Sequence, residues 1–401
     1  MKPAHNNHDS HVAAACPGCG NADTSTFYQV DGVPAHSVLL MPTRAAAVEY
    51  PTGQVALALC ARCGLISNGA FDTKLHEYSE RYEETQGFSP TFNSFHERLA
   101  RQLIERYDLR DKDIVEIGCG KGEFLSLLCR DGMNRGVGFD PAYIEERRPD
   151  GTDDSLEFVA DFYSEKYAHH SADLICCKMT LEHIDRVHEF ISTIRRSVGD
   201  RTDTVVFFQV PDATRIFEDV AFWDIYYEHC SYFTAGSLSR LFRSCGFEVL
   251  DVGTDYDGQY LMIEARPGNG IELNGIDVAG VADTARTVEK FCGAYPTVLA
   301  DWRSRLDQAH RAGQRTVIWG GGSKGVSFLT TLAVTDEVQY AVDINPYKHG
   351  TFMAGTGHEI ISPDALRRVD PDLVIVMNPI YRNEIASELA SMGLTPDLVT
   401  V

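Results

Sequence analysis

The stretch DIVEIGCGKGEFLSLLC, Asp113 to Cys129, restricts the possible folds more than any other part of the chain. A short apolar run gives way to glycines at alternate positions, Gly118, Gly120 and Gly122, and then to Phe124, Leu125 and Leu128 at helical spacing. A strand, a glycine turn and a helix in that order begin a β-α-β unit, and such units build a parallel sheet. The alternation continues. GVGFD, LEFVA, DLICCKM and TVVFFQVP read as strands, VHEFISTIRRSV and TAGSLSRLFRSCGF as helices, and EVLDV with QYLMIEA as a closing antiparallel pair. Upstream, Phe92, Phe95, Leu99, Leu103 and Ile104 predict an amphipathic helix from Phe88 to about Arg110. The glycine-rich RPGNGIELNGI marks a boundary near Pro267. After a helical connector a second alternation begins with TVIWGGGSKGVSFL, YAVDINP, PDLVIVMNP and PDLVTV. A chain of 401 residues is too long for one core, so the reading divides it into residues 1–75, 76–268 and 269–401.

The first of these carries CPGC (Cys16, Cys19) and CARC (Cys60, Cys63), each followed by a glycine that lets the backbone turn so that amides approach the sulfurs. The chain has eleven cysteines, an odd number, and no apolar signal core at its start, so a reducing compartment, the cytoplasm, and a metal rather than disulfides are expected. Four thiolates from two such knuckles close a tetrahedral zinc site with no open position, which makes the zinc structural; a rubredoxin-like iron centre is the rival. His5, His8 and His11 are read as part of a disordered, solvated tail. YQVDGVPAHSVLL and GQVALALC, between the knuckles, read as short strands. The net charge of -22, from 36 basic and 58 acidic residues, argues against nucleic acid as a partner, and no run reaches the length of a membrane span. A local basic pocket for one small anion stays compatible with that charge. The chain is compatible with a monomer.

Glycines between a strand and a helix let the backbone approach a ligand at the carboxyl end of the strand. The same spacing serves dinucleotides, and two features favour S-adenosylmethionine instead. Glu116 lies in the strand just before the glycines, and Asp140 ends the next strand, where a carboxylate can accept both ribose hydroxyls. Asp161 and Phe162 follow the third strand, in position to meet the adenine. The stretch FWDIYYEHCSYFT, Phe222 to Thr234, lies in the long connection after VVFFQVP, over the carboxyl edge of the sheet. In a helical turn Tyr226 and His229 share a side at i, i+3, with Glu228 on another. A tyrosine and a histidine converging on one carbon suit proton abstraction beside a carbonyl, with Glu228 either orienting His229 or supporting the loop. In the last unit GGGSKG (Gly320–Gly325) again joins a strand to a helix, where amides, including those of Gly321 and Ser323, favour anions and Lys324 adds charge. Asp343 and Asn345 end the next strand and Asn378 the third, around the same crevice.

Cys16, Cys19, Cys60 and Cys63, then EIGCGKG, YYEHCSYF, GGGSKG and VDINPYKHGTFMAGT, in this order, resemble the sugar C-methyltransferases of deoxysugar biosynthesis over nearly the whole chain. The resemblance implies a class I S-adenosylmethionine methyltransferase core of Rossmann-like α/β type. A small N-terminal zinc-binding domain precedes it, and a C-terminal Rossmann-like domain that holds the nucleotide half of the substrate follows. The implied reaction methylates C3 of a nucleotide-linked 4-keto-6-deoxysugar, with His229 as general base and Tyr226 as the assisting hydroxyl. An imidazole near pKa 6.5 is too weak a base to hold an unassisted carbanion, so an enolate-stabilising donor is required. The family usually carries His-Glu-His in this loop, and Tyr227 stands where the first histidine would be. YEETQGFSPTFNSFH matches the family's corresponding segment loosely, so Tyr82 and His96 receive no role beyond a lid or packing, and His183 in MTLEHI borders the active site or caps structure. An O- or N-methyltransferase and a nucleotide-binding oxidoreductase are the alternatives.

Overall fold

The computed structural model describes residues 15–75, 81–149, 155–269 and 278–401; His5, His8 and His11 and the tail that carries them lie outside the described residues. Three sheets organise these segments. The first begins with β1 (Thr24–Pro34), the short helix α1 (Arg44–Val48), β2 (Thr52–Cys60) and β3 (Ile66–Asn68), with antiparallel pairing throughout. AHSVLL, expected as strand, instead runs as irregular chain with single bridges from Leu39 to Tyr82 and from Met41 to Phe352. Released from a ladder, the chain here reaches the segment before α2 and the connection between β13 and β14.

The second sheet follows α2 (Pro90–Tyr107). Its chain order is β4 (Asp113–Ile117), α3 (Glu123–Gly132), β5 (Arg135–Phe139), β6 (Leu156–Val159), β7 (Leu174–Lys178), α4 (Val187–Val198), β8 (Val205–Pro211) and α5 (Ala213–Glu218). After β9 (Ser231–Tyr232), which leaves this sheet, come α6 (Ala235–Ser244), β10 (Phe247–Asp255) and β11 (Tyr260–Pro267). The spatial order is β10-β11-β8-β7-β4-β5-β6; β11 runs antiparallel to both its neighbours and the other pairs are parallel. This is the class I methyltransferase arrangement. Alternate residues of β4, β7 and β8 bury on opposite faces: Val115, Ile175, Phe208 and Val206 join Ile191 and Leu241, whereas Ile114, Cys176 and Phe207 join Leu99 and Leu125. Covering both faces explains why these strands read as unbroken apolar runs. α2 starts where Ser89 accepts the Phe92 amide at 3.3 Å with Pro90 next in line, and it stops at Asp108 in the left-handed region.

The third sheet follows the long helix α7 (Val278–Arg311). It contains β12 (Thr316–Trp319), α8 (Ser323–Thr331), β13 (Tyr340–Val342), β14 (Ile360–Ile361), α9 (Leu366–Val369), β15 (Leu373–Val376), α10 (Arg382–Ser391) and β16 (Asp397–Thr400). All its pairs are parallel, in the order β14-β13-β12-β15-β16. Strand order therefore reverses at β4 in one sheet and at β12 in the other, and each reversal opens a crevice beside a glycine turn. Among the described residues no helix is long and apolar enough to cross a membrane.

Polar contacts tie the crevices together. Glu384 of α10 accepts from Ser89 Oγ (2.9 Å), Thr91 Oγ1 (2.6 Å) and Thr91 N (3.2 Å), so a carboxylate of the third sheet sits at the N-terminus of α2. Tyr256 donates to Tyr381 (2.6 Å), which donates to Gln86 (2.8 Å), and Gln259 donates to Asn378 (3.0 Å). Glu384→Ala is expected to lower the unfolding free energy by about 1 kcal/mol in urea denaturation, since charge-assisted bonds to a helix start are lost, and Glu384→Gln by less.

Candidate active site

The glycine turn after β4 is shaped for close approach. Gly118 has φ of +70°, and a Cβ there would collide with the Thr180 hydroxyl; Gly120, at +55°, donates its amide to Asp140 Oδ2 at 2.9 Å. Asp140 Oδ1 accepts from Ala142 N at 2.8 Å, so each oxygen keeps a further acceptor site for a ligand. Burial raises the Asp140 pKa. Asp161 accepts from Lys166, from Tyr167 Oη (2.7 Å) and from the Phe162 amide (2.8 Å), and Lys166 first and Tyr167 second hold it down to about 2. The Phe162 ring is 58% exposed at the rim, an apolar surface beside a carboxylate turn. Glu84, from the segment before α2, packs against Gly120 on the other side, and burial pushes its carboxyl up to about 8 against the pull of Lys121.

Two sequence expectations for this region need correction. Glu116 and Gly122 do not line the cavity: Glu116 is buried behind its floor, pushed up to about 8 by burial with Lys178 opposing, and Gly122 faces Phe158. The group that reaches the wall from this cluster is Lys178, whose Nζ lies 2.9 Å from His96 Nε2 and 3.8 Å from the centroid of the Phe124 ring. His96 therefore packs beneath the site.

The stretch Phe222 to Thr234 turns so that the His229 amide donates to the Tyr226 carbonyl (3.3 Å). Tyr226 and His229 consequently share a side, with ring centroids 4.1 Å apart, and both line the cavity. His183 stands edge-on to His229 at 4.8 Å and lines it too. Burial, then the negative Asp224 and Glu228, keep the Tyr226 phenol protonated. Glu228 faces the opposite way. Its carboxylate accepts from Ser37 N (2.8 Å) and Ser37 Oγ (2.7 Å) and lies 3.2 Å from His36 Nδ1, and these partners depress its pKa despite full burial. Of the two roles expected for Glu228, the geometry matches loop support and not the orientation of His229. Tyr227 also leaves the cavity: its ring covers Gly53, and its hydroxyl accepts from Asp72 N at 2.7 Å. The carboxyl nearest His229 is one that sequence reasoning missed, Glu182, with Oε1 4.0 Å from His229 Nε2. Its neighbour His183 was noticed in the sequence, but nothing local marks Glu182 as buried.

On the far wall Gly320, Gly322, Ser323 and Lys324 line the same cavity, of about 480 Å³, whereas Gly321 turns its amide to Asp343 Oδ2 at 3.0 Å. Lys324 pairs with one oxygen of Asp224 while Arg215 takes the other at 2.8 Å, and burial lowers the Lys324 pKa. Lys348 pairs with Asp343 at 3.1 Å. Asn345 and Asn378 border the crevice, but each also bridges to the second sheet's side of it, Asn345 to Glu83 (2.8 Å) and Asn378 to Gln259. Arg215 and Asp224 carry no motif signal, since their partners come from distant parts of the chain.

The sulfurs of Cys16 and Cys63 lie 3.6 Å apart and those of Cys19 and Cys60 3.5 Å, close to the roughly 3.8 Å edge of a tetrahedron with Zn–S bonds of 2.3 Å. Gly20 and Gly64, both left-handed, close the knuckles by donating to the Cys16 (2.8 Å) and Cys60 (3.0 Å) carbonyls. The donor set fits a closed tetrahedral metal.

Residues 92–252 match a family model described as a methyltransferase domain, and residues 277–395 match a C-methyltransferase C-terminal domain. The C-methyltransferase NovU of Streptomyces niveus is 28% identical over 306 residues, spanning 72% of this chain and 71% of that protein. Similar solved structures include the 1,6-didemethyltoxoflavin N1-methyltransferase of Burkholderia thailandensis (17% identity, 45% of this chain, 82% of that one, TM-score 0.34). Another is the magnesium protoporphyrin IX methyltransferase of Synechocystis (12%, 44%, 84%, TM-score 0.35).

Two outcomes follow from the geometry. Gly118→Ala is expected to weaken S-adenosylmethionine binding at least about tenfold by calorimetry, because the methyl collides with Thr180 in a left-handed backbone. Elemental analysis is expected to find one four-sulfur metal per chain, and Cys16→Ser or a strong chelator should lower the thermal midpoint.

Proposed function

We propose, from the premise that this chain is an S-adenosylmethionine-dependent C-methyltransferase, that it methylates C3 of a nucleotide-linked 4-keto-6-deoxysugar. The observation that carries the reading is the continuity of one cavity. Gly118, Gly120 and Asp140 line one end, Tyr226 and His229 the middle, and Gly320, Gly322 and Lys324 the other end. A sugar carrying a nucleotide has this extended form. The charges are graded to suit it. Asp140 and Glu84 stand at the glycine turn, and three cations, Arg215, Lys324 and Lys348, stand with the carboxylates Asp224, Asp343 and Glu384 toward the far end. This gathering of cations beside the amides of a glycine turn and helix start, in a chain of net charge -22, suits a diphosphate. The four cysteines hold zinc in a purely structural role, because a closed tetrahedron leaves no place for a reactant.

The 4-keto group acidifies the C3 hydrogen, and His229 removes it. The electron pair of the broken C–H bond moves into the enolate, whose oxygen accepts from the protonated Tyr226 hydroxyl. S-adenosylmethionine supplies a methyl group on a positively charged sulfur. The buried walls around His229 keep water from reprotonating the carbon, and Lys324 with Arg215 anchors the remote end so that C3 stays in reach. The match to C-methyltransferase models speaks against the O- or N-methylating and oxidoreductase alternatives.

The test is a panel of nucleotide keto-sugars with labelled methyl donor, and deuterium wash-in at C3 without donor. The wild type is expected to do both. His229→Ala should lose about a thousandfold in turnover with donor affinity unchanged, and Tyr226→Phe about a hundredfold. A His229→Ala variant that still washes in deuterium, or that loses donor binding instead, would falsify the base assignment.

A further inference from the structure

The His229 imidazole must carry a positive charge after it takes the carbon proton, and in a dry site such a charge needs a partner. Glu228, its sequence neighbour, is occupied by Ser37 and His36. Glu182, on the turn after β7, is 1% exposed, and among the described residues neither of its carboxyl oxygens accepts a hydrogen bond. A buried carboxyl without a donor is costly, and such groups concentrate where chemistry uses them. Its place is held by backbone: the Cys230 amide donates to the Glu182 carbonyl at 2.9 Å, so the turn after β7 and the loop carrying His229 are joined at Glu182 itself and one residue beyond His229. The side chain lines the cavity beside His229.

We propose that Glu182 is the positioning partner of His229, its carboxylate supplying the counter-charge to the imidazolium and the outlet for the proton. This rests on His229 being the base. When the C3–H bond breaks, the electron pair stays with the carbon as enolate and the proton goes to His229 Nε2; after the methyl–carbon bond has formed, the proton passes from Nε2 to Glu182 Oε1, 4.0 Å away at rest, and leaves with opening of the site. No oxidant or further reactant is needed. The titratable groups around Glu182 are His183 from its own turn, His229, Tyr226 and Cys230 from the loop, Cys177 from β7 and Tyr260 from β11. Burial among them pushes the carboxyl up to about 8. The sign follows: below about pH 8 Glu182 holds a proton and offers His229 no counter-charge, and as pH rises through that value the carboxylate forms and turnover increases.

The experiment compares wild type, Glu182→Gln and Glu182→Asp by kcat, KM for the keto-sugar, donor binding and the pH profile. Glu182→Gln, nearly isosteric, is expected to lose about a hundredfold in kcat, with KM and donor Kd within about twofold, and to lose the rise near pH 8. Glu182→Asp is expected to recover part of kcat and the rise. Glu182→Gln retaining wild-type kcat and profile overturns the inference, as does an Asp variant no better than Gln with donor binding and unfolding cooperativity lost in parallel, which marks a merely structural group. His229→Ala separates the two layers: if it still exchanges C3 deuterium the base assignment fails, whereas a dead His229→Ala beside an unaffected Glu182→Gln removes only the role of Glu182.

Discussion

The two-residue strand β9 decides where the reactive side chains stand. Ser231 and Tyr232 leave the methyltransferase sheet and pair with Ser67 and Ile66 of β3, making the end of the loop a fourth strand of the N-terminal sheet. Three residues earlier, Glu228 is taken into the same module by Ser37 and His36. A carboxylate 1% exposed is tolerable only with such donors, so the loop has one seating that satisfies it. With Glu228 committed to one side, the turn that follows from the Tyr226–His229 hydrogen bond directs both rings to the other. The N-terminal module therefore acts on the site chiefly through this seating, touching the cavity itself with Val38 and its far wall through the Ser37–Ser323 hydroxyl pair at 2.7 Å, and the four-cysteine cluster lies in the module that holds the loop. Arg240 of α6 ties that cluster to the core by donating to the Cys63 carbonyl at 2.8 Å.

The other constraint is that two doubly wound sheets present their switch points to one cavity. A switch point offers a glycine turn and a helix start, which bind anionic or nucleotide groups but perform no chemistry. Placing two of them around a loop from a third sheet supplies what neither has alone. The segment Tyr82–Ser89 and the start of α2 complete the enclosure: Glu83 pairs with Arg147 and accepts from Asn345, Gln86 accepts from Tyr381, and Ser89 donates to Glu384. This segment thus contacts both the methyltransferase core and the C-terminal domain, and its placement beside Gly120 joins the glycine-turn end of the cavity after β4 to the end after β12.

The sequence made the local parts of this design legible. Glycines in EIGCGKG and GGGSKG, the two CxxC knuckles, the apolar runs of β7 and β8, and the i, i+3 relation of Tyr226 to His229 are all short-range signals, and the fold class follows from them. What stayed hidden depends on partners far along the chain. Glu228 meets Ser37 across 191 residues, Lys324 meets Asp224 across 100, and Asn345 meets Glu83 across 262. Glu116 was misplaced for a related reason: period two in a strand says which face a side chain takes, but not which face the ligand lies on. Glu182 was invisible because a glutamate in an exposed-looking turn has no pattern that announces its burial.

The substitution at Tyr227 can be understood in the same terms. Where the family carries a histidine, the Tyr227 ring is fully buried away from the cavity and lies where a Cβ of Gly53 would be. The glycine in β2 is thus the complement of the bulk in the loop, and the phenol finds both a donor and an acceptor in the Asp72 backbone. A tyrosine can reach that backbone, and its larger apolar area packs against Phe71 at 5.2 Å. The change therefore acts on how firmly the loop is seated against the N-terminal sheet. Because the loop turns once between Tyr226 and His229, firmness on the Tyr227 side becomes precision on the other, where the proposed base must meet its carbon within a few tenths of an ångström.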